Sequence, residues 1–190
     1  MEQLDGALAE RIARDALLYD GEGCLSLHAL FVHGDAATLA RVAKVLGAAC
    51  ERVAIEFPGG VRSAARTAAV AAYCNLAAFR AAGGRGAVVR GGDAALIVDP
   101  PRDEAPPFLP RVLPIFGVDG DDALAAYAAA QRLPVQAVGV VAADAAAIAL
   151  AERIGAVRVA PFGTMQDPPL GGHHGGVPRI ADFVRWIDRE

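Results

Sequence analysis

The chain has 190 residues, 54% hydrophobic and 21% charged, which is enough apolar material for one globular domain and excludes an intrinsically disordered protein. Its formal net charge of -4 argues against a nucleic-acid-binding surface, which normally carries a basic excess. No apolar run reaches the roughly 20 residues that a membrane helix needs, and the first residues show neither the basic start nor the apolar core of a secretory signal.

The three cysteines, Cys24, Cys50 and Cys74, are odd in number and widely spaced. This pattern fits neither a disulfide framework nor a metal cluster. We therefore expect a cytoplasmic protein with reduced thiols.

Hydrophobic periodicity and turn residues divide the chain into helices and strands. Leu8, Ile12 and Ala16 form the apolar side of the first helix, and Asp35 is the expected N-cap of the second. In chain order we predict helix 4–18, strand 27–32, helix 36–53, helix 63–81, strands 87–89, 95–98 and 112–118, helix 121–132, strand 135–141, helix 144–154, strand 157–160 and a closing helix 180–188.

The alternation of strands and helices from residue 112 onward predicts parallel pairing with helices on both faces. The expected fold class is α/β, with a three-layer open, mostly parallel sheet in a single domain over residues 1–190. The loops 100–110 and 163–178 are long enough to be functional rather than merely connective.

Cys24 is the first candidate for chemistry, because it follows a glycine in a turn between a helix and a strand. A thiol is a nucleophile only as the thiolate, and backbone N–H groups of such a turn can face a developing oxyanion. From its position alone we favour the alternative that Cys24 is a small buried hydrophobe. Cys50 and Cys74 lie within predicted helices, where the buried structural role is strongly preferred.

His173 and His174 form the second candidate, in a loop rich in glycine and proline. Adjacent histidines without further ligands do not make a metal site, so they are either solvated or face a substrate. The segment "AAGGRGAVVRGG" has neither the spacing nor the strand–helix setting of a phosphate loop, and we interpret it as turns. We assign His28 no role.

Two segments carry a resemblance to a known family. "DALLYDGEGCLSLHALFV" resembles the region around the active-site cysteine of the aldehyde dehydrogenase superfamily. The C-terminal run "ERIGAVRVAPFGTMQDPPLGGHHGGVPRIADFVRWIDRE" is similar to the end of the long-chain acyl-CoA (fatty acid) reductases of the LuxC family, with its Gly-x-Met-Gln-x-Pro-Pro loop and closing Arg-Trp helix. The resemblance implies an aldehyde dehydrogenase catalytic-domain-like fold.

The resemblance also implies a mechanism. Cys24 attacks a fatty acyl-CoA, expels the coenzyme A thiol and forms an acyl-enzyme, which NADPH or NADH then reduces to an aldehyde. Phe108, in the segment where the superfamily holds the nicotinamide ribose, and His173 and His174 are the expected substrate contacts. The superfamily's glutamate in that segment is absent here.

Only 23 residues precede Cys24, so the resemblance implies the catalytic, C-terminal half of the enzyme without its cofactor-binding domain. We therefore expect no tight cofactor binding by this chain alone, and a homo-oligomer or a partner that carries the cofactor domain. The alternative is a catalytically incomplete acyl-carrier or assembly module. The absence of a convincing Cys-His-Asp order argues against a stand-alone thiol hydrolase.

Overall fold

The computed structural model describes residues 4–178. The helices are α1 (Gly6–Leu17), α2 (Ala36–Glu56), α3 (Ala64–Ala82), α4 (Asp121–Ala130) and α5 (Ala145–Arg153), with a 3-10 turn at Leu18–Gly21. The strands are β1 (Leu30–His33), β2 (Ala87–Gly91), β3 (Ala94–Val98), β4 (Val112–Val118), β5 (Ala137–Val140), β6 (Arg158–Pro161), β7 (His173–His174) and β8 (Val177–Pro178). The predicted closing helix 180–188 lies outside the described residues.

Local sequence signals account for where the helices begin. The predicted N-cap Asp35 is confirmed, because its side chain accepts a hydrogen bond from the Thr38 N–H at 2.9 Å. Asp5, Ser63 and Asp144 cap α1, α3 and α5 in the same way. Each cap satisfies one of the backbone N–H groups that a helix start leaves without a partner.

The largest sheet has four strands in the order β1-β4-β3-β2. β4 lies between β1 and β3 and is parallel to both, whereas β2 and β3 form an antiparallel pair. The side chains of β3 alternate between two apolar clusters. Leu96 and Val98 pack in the cluster of α1 and α2, and Ala95 and Ile97 pack in the cluster of α3. The helices α2 and α3 therefore cover opposite faces of the sheet.

A mixed α/β fold with a mostly parallel sheet is confirmed. The expectation that all the strands form one open sheet is wrong. Within residues 4–178 hydrogen bonding divides the strands among three sheets, because β5 pairs in parallel with β6 and not with β4. The reason is topological. Both edges of β4 are occupied, by β1 and β3, so β4 has no free edge for β5.

Two other details differ from the prediction. β1 begins at Leu30 instead of residue 27, and residues 27–29 line the cavity described below. The predicted loop 163–178 contains the short hairpin β7–β8, joined by Gly175 and Gly176 with φ of 57° and 81°. Two central residues with positive φ are the requirement of a tight hairpin turn, and glycine meets it without strain.

No helix in the described part of the chain has the length and apolar character needed to cross a lipid bilayer.

Candidate active site

The turn between α1 and β1 presents Cys24 to solvent. After the 3-10 turn at Leu18–Gly21 the backbone folds back, and the Ser26 N–H donates to the Gly23 carbonyl at 3.0 Å. The interpretation of Cys24 as a buried residue is therefore wrong. The buried interpretation is confirmed for Cys50 and Cys74, and burial raises the pKa of Cys50 to about 12.

Arg111 anchors the turn on one side. Its side chain is 1% exposed, and Nε and Nη1 donate to Asp20 and Asp93 at 2.6 and 2.7 Å. Nη2 donates to the Phe57 carbonyl, and the Arg111 backbone N–H donates to the Asp20 carbonyl at 2.9 Å. Burial by itself raises the pKa of Asp20, but the hydrogen bonds from Arg111 and Gly60 and the Arg111 charge outweigh it and lower this pKa.

Asp15 anchors the turn on the other side. This residue is 1% exposed, and its carboxylate accepts hydrogen bonds from the backbone N–H groups of Gly163 at 2.6 Å and Met165 at 3.2 Å. Its own carbonyl accepts from the Leu27 N–H at 3.1 Å. Burial raises the pKa of Asp15, and these hydrogen bonds and two nearby arginines offset the rise only in part.

The Gly-x-Met-Gln segment thus lies against the cysteine turn, although 140 residues separate Gln166 from its partner Ser26. Gln166 Nε2 donates to the buried Ser26 hydroxyl. A Cβ atom at Gly23 would lie 3.1 Å from the Ser26 hydroxyl oxygen and 3.2 Å from the Gln166 amide. Because Gly23 has no side chain, the Gln166 amide can lie close to the backbone that directly precedes Cys24.

A mostly apolar cavity of about 440 Å³ opens beside Cys24. Three segments form its walls: the turn 22–31, the loop residues 105–108, and the stretch 131–137 with Met165. The titratable residues among those lining it are Glu22, Cys24 and His28.

Arg66 on α3 connects two walls of this cavity. Its Nη2 lies 2.6 Å from a carboxylate oxygen of Glu22, and its Nη1 donates to the Phe108 carbonyl at 3.3 Å. Tyr127 on α4 and Gln131 at its C-terminal end hold an earlier part of the same loop, because they donate to the carbonyls of Glu104 and Arg102. The long loop 100–110 is therefore tied down at several points over the cavity.

The structure brings together some of the predicted site residues and not others. Phe108 lines the cavity of Cys24 and contacts the edge of the His28 ring, with the ring centroids 4.6 Å apart. His173 and His174 are exposed on β7 and are not among the described residues that line this cavity.

Sequence reasoning assigned no role to His28, Glu22 or Gln166, which the structure places in or next to the cavity of Cys24. Gln166 carried a signal, because it lies in the quoted Gly-x-Met-Gln segment, but its partner is remote in sequence. Glu22 and His28 flank Cys24 in the chain without any spacing typical of a catalytic set.

Within residues 4–178, no three His, Cys, Asp or Glu side chains come together as potential metal ligands. No curated protein matches the chain. The LuxC family model, which describes an acyl-CoA reductase, matches residues 3–186. The chain therefore belongs to the LuxC acyl-CoA reductase family.

Proposed function

We propose that this chain is the thiol-bearing catalytic domain of an NAD(P)H-dependent long-chain acyl-CoA reductase, in which Cys24 accepts the fatty acyl group. One observation carries the proposal. Cys24 is exposed in an otherwise mostly apolar cavity, whereas Cys50 and Cys74 are buried. Family membership supplies the substrate class, and the aldehyde dehydrogenase-like domain organisation is part of the same proposal.

The first half of the reaction follows from the chain's own residues. The Cys24 thiolate attacks the thioester carbonyl, the tetrahedral oxyanion collapses, and coenzyme A leaves as its thiolate. Thioester exchange keeps one thioester on each side, so the step is nearly neutral in energy. In the described residues no protein acceptor receives a hydrogen bond from the N–H groups of Cys24 and Leu25. These N–H groups are the donors that we propose for the oxyanion, and one such donor contributes about 3 kcal/mol to lowering the barrier.

The cavity suits an acyl chain. Its lining is dominated by apolar side chains on all walls: Leu25, Leu27, Phe31, Phe108, Leu133, Val135 and Met165. Moving methylene groups from water into such surroundings is favourable by about 0.8 kcal/mol per buried group.

The described residues do not fit a dinucleotide cofactor. A pyrophosphate binds at a helix N-terminus that follows a strand. At the three strand-to-helix turns of this structure, aspartates already occupy that position: Asp35 at α2, Asp121 and Asp122 at α4, and Asp144 at α5. Their carboxylates repel a phosphate group. Gly83, Gly84 and Gly86 instead end α3 and lead into a strand, so these residues supply no reductive step.

A second candidate function follows from the lack of a dinucleotide site in the described residues. In this second proposal the chain is an acyl-carrier or assembly module that docks with a partner bearing the cofactor domain. Exposed apolar side chains on α3 favour it, because Leu76 is 55% exposed and Phe79 is 76% exposed.

The acyl-transfer proposal is tested by mixing the protein with palmitoyl-CoA. We expect a mass gain of one palmitoyl group and release of free coenzyme A thiol. Both are lost in Cys24→Ala and kept in the matched control Cys74→Ala. Absence of an adduct on the folded wild-type protein contradicts the proposal. Aldehyde formation with NADPH and no added partner contradicts the cofactor assignment.

Thiol accessibility gives an independent test. We expect iodoacetamide to label Cys24 at least 100-fold faster than Cys50 or Cys74 (an order-of-magnitude expectation), because alkylation needs an accessible thiolate. Peptide mass spectrometry after timed labelling measures the three rates. Equal rates at the three positions would contradict the placement of Cys24.

A further inference from the structure

We propose that His28 is the general base that takes the proton from Cys24 and returns it to the departing coenzyme A. This inference rests on the proposed acyl transfer and adds a catalytic residue to it. It starts from a juxtaposition: the turn after α1 places Cys24 and His28, four residues apart, in the lining of one cavity.

The lining contains few groups able to accept a proton. Glu22 is the other candidate, but the Arg66 guanidinium lies 2.6 Å from its carboxylate. The other described lining residues are apolar side chains, a glycine, a serine and two glutamines, and none of them is a base at neutral pH. His28 is therefore the remaining base among the described residues that line the cavity with Cys24.

The surroundings of His28 orient its ring. The Gly21 backbone carbonyl acts on the His28 ring and favours its protonated form. In the neutral ring one nitrogen carries a proton and the other has a free lone pair. The edge-on contact with Phe108 restricts ring rotation.

The charge state of His28 also suits a base. Burial lowers the pKa of this histidine, and the Gly21 hydrogen bond offsets the shift only in part. The charged groups near it are Glu22 on its own turn and Arg66 on α3, which pair with each other. The loop residues 105–108 and the stretch 131–137 contribute only uncharged side chains to the cavity. The lowered pKa favours the neutral imidazole, which is the form that can take a proton.

The proposed step balances without a further reactant. The S–H bond of Cys24 breaks and its proton moves to the free nitrogen of His28. The thiolate forms a new C–S bond with the acyl carbon, and the C–S bond to coenzyme A breaks. The leaving thiolate takes the proton from the imidazolium, so that coenzyme A departs as a thiol and His28 is neutral again.

His28→Gln tests the proposal, with His33→Gln as the matched control because His33 is exposed and lies outside this cavity. We expect the rate of Cys24 acylation by palmitoyl-CoA to fall by about 100-fold or more in His28→Gln and to stay near wild type in His33→Gln. The wild-type rate should rise with pH through a histidine titration below 6.5, and this limb should vanish in His28→Gln.

Chemical rescue separates lost chemistry from lost folding. In His28→Gly, added imidazole should restore at least about a tenth of the wild-type acylation rate, which it cannot do for a misfolded protein. If His28→Gln keeps the acylation rate and the pH profile of the wild type, the role of His28 is overturned and the proposed function stays intact.

The reverse outcome is equally distinct. If palmitoyl-CoA does not acylate the wild type, the proposed function fails. The pH profile of iodoacetamide labelling then still tests the pair, because a histidine-dependent limb that is lost in His28→Gln supports proton transfer from Cys24 and its absence contradicts it.

Discussion

Apart from α3, which buries only Cys74, the region from α1 to β4 is packed much more tightly than the region from α4 to β6. β3 and β4 are buried along their whole length, whereas every residue of β5 is only half-buried. The helices α1 and α2 bury seven residues each, whereas α4 and α5 bury only Ala128 and Ala151. Because apolar stabilisation scales with the area removed from water, the alanines of the second region contribute little.

The candidate active-site cavity lies where the two regions meet. Cys24 and His28 belong to the well-packed region, and the facing wall 131–137 belongs to the loosely packed one. A second cavity of about 590 Å³ also lies between them, with α1, α2 and β1 on one side and Gly139 and Val141 on the other. Cys24 and His28 therefore lie on the well-packed side, and we expect the opposite wall, which buries less, to adjust more easily to an acyl chain.

The largest effect is expected at Arg111, whose ion pairs lie inside the well-packed region. Arg111→Met should lower the free energy of unfolding by about 3–5 kcal/mol, because it leaves Asp20 and Asp93 without their buried cation. Urea unfolding followed by circular dichroism measures the change. A loss below about 1 kcal/mol would contradict the anchoring role of Arg111.

Arg111 also makes the stability of the fold depend on pH through Asp20. The folded-state pKa of Asp20 is lowered, so its contribution to stability is present above the ordinary value of 3.8 and is lost as the pH falls through the folded value. Stability of the wild type should therefore decline in acid more steeply than that of Arg111→Met.

The second effect compares one apolar side chain from each region. Leu96 on β3 is 0% exposed, so Leu96→Ala should cost about 3 kcal/mol through lost contacts and a residual cavity. Ile148 on α5 is 48% exposed, and Ile148→Ala should change stability by no more than about 0.5 kcal/mol. Equal losses for both variants in urea unfolding would remove the distinction between the regions.

The third effect on stability concerns Asp15, which ties the first region to the loop that follows β6. Asp15→Asn should cost about 1–3 kcal/mol, because one amide oxygen cannot replace a carboxylate that accepts from both Gly163 and Met165. Asp167→Asn is the control, since Asp167 is exposed on the same loop. Hydrogen exchange of the Met165 amide should become faster in Asp15→Asn alone, and unchanged exchange would contradict this role.

The pH dependence of the stability of Asp15→Asn provides a second test of the role of Asp15. The folded-state pKa of Asp15 is raised above 3.8, so its contribution to stability is greatest below that value and decreases as the pH rises through the folded value. This decrease should be absent from Asp15→Asn when unfolding is measured between pH 3 and 7.

The smallest effect is expected for an arginine pair in the loosely packed region. Arg153 lies 2.6 Å from Asp122, the same distance as in the Arg111–Asp20 pair, but the two side chains are 46% and 95% exposed. Arg153→Met should therefore change stability by less than about 1 kcal/mol. A loss of stability comparable with that of Arg111→Met would show that distance, and not burial, determines how much these ion pairs stabilise the protein.

Much of the secondary structure was predictable, because its signals are local. Asp35 and Asp144 mark helix starts through hydrogen bonds to residues three positions on, and β4 was predicted with its observed limits. The partner of each strand was not predictable in the same way. The order β1-β4-β3-β2 depends on which edges other strands already occupy, and no local pattern encodes that competition.

The candidate site was predictable only in part. The resemblance selected Cys24 and Phe108, which the structure places in one cavity, but also His173 and His174, which it places elsewhere. The position of Cys24 in the chain suggested burial, because most free cysteines are buried and the sequence alone does not show which side of a turn faces solvent.

The sequence by itself determined the family, the helix caps, most of the elements and the three cysteines from which a nucleophile is chosen. The tertiary structure decided which of these thiols is accessible, that His28 shares its cavity, and that Asp15 and Gln166 join the cysteine turn to a loop about 140 residues away. The physical reason is the range of the interactions. Caps and periodicity act within a few residues, whereas burial and charge neutralisation depend on segments that only folding brings together.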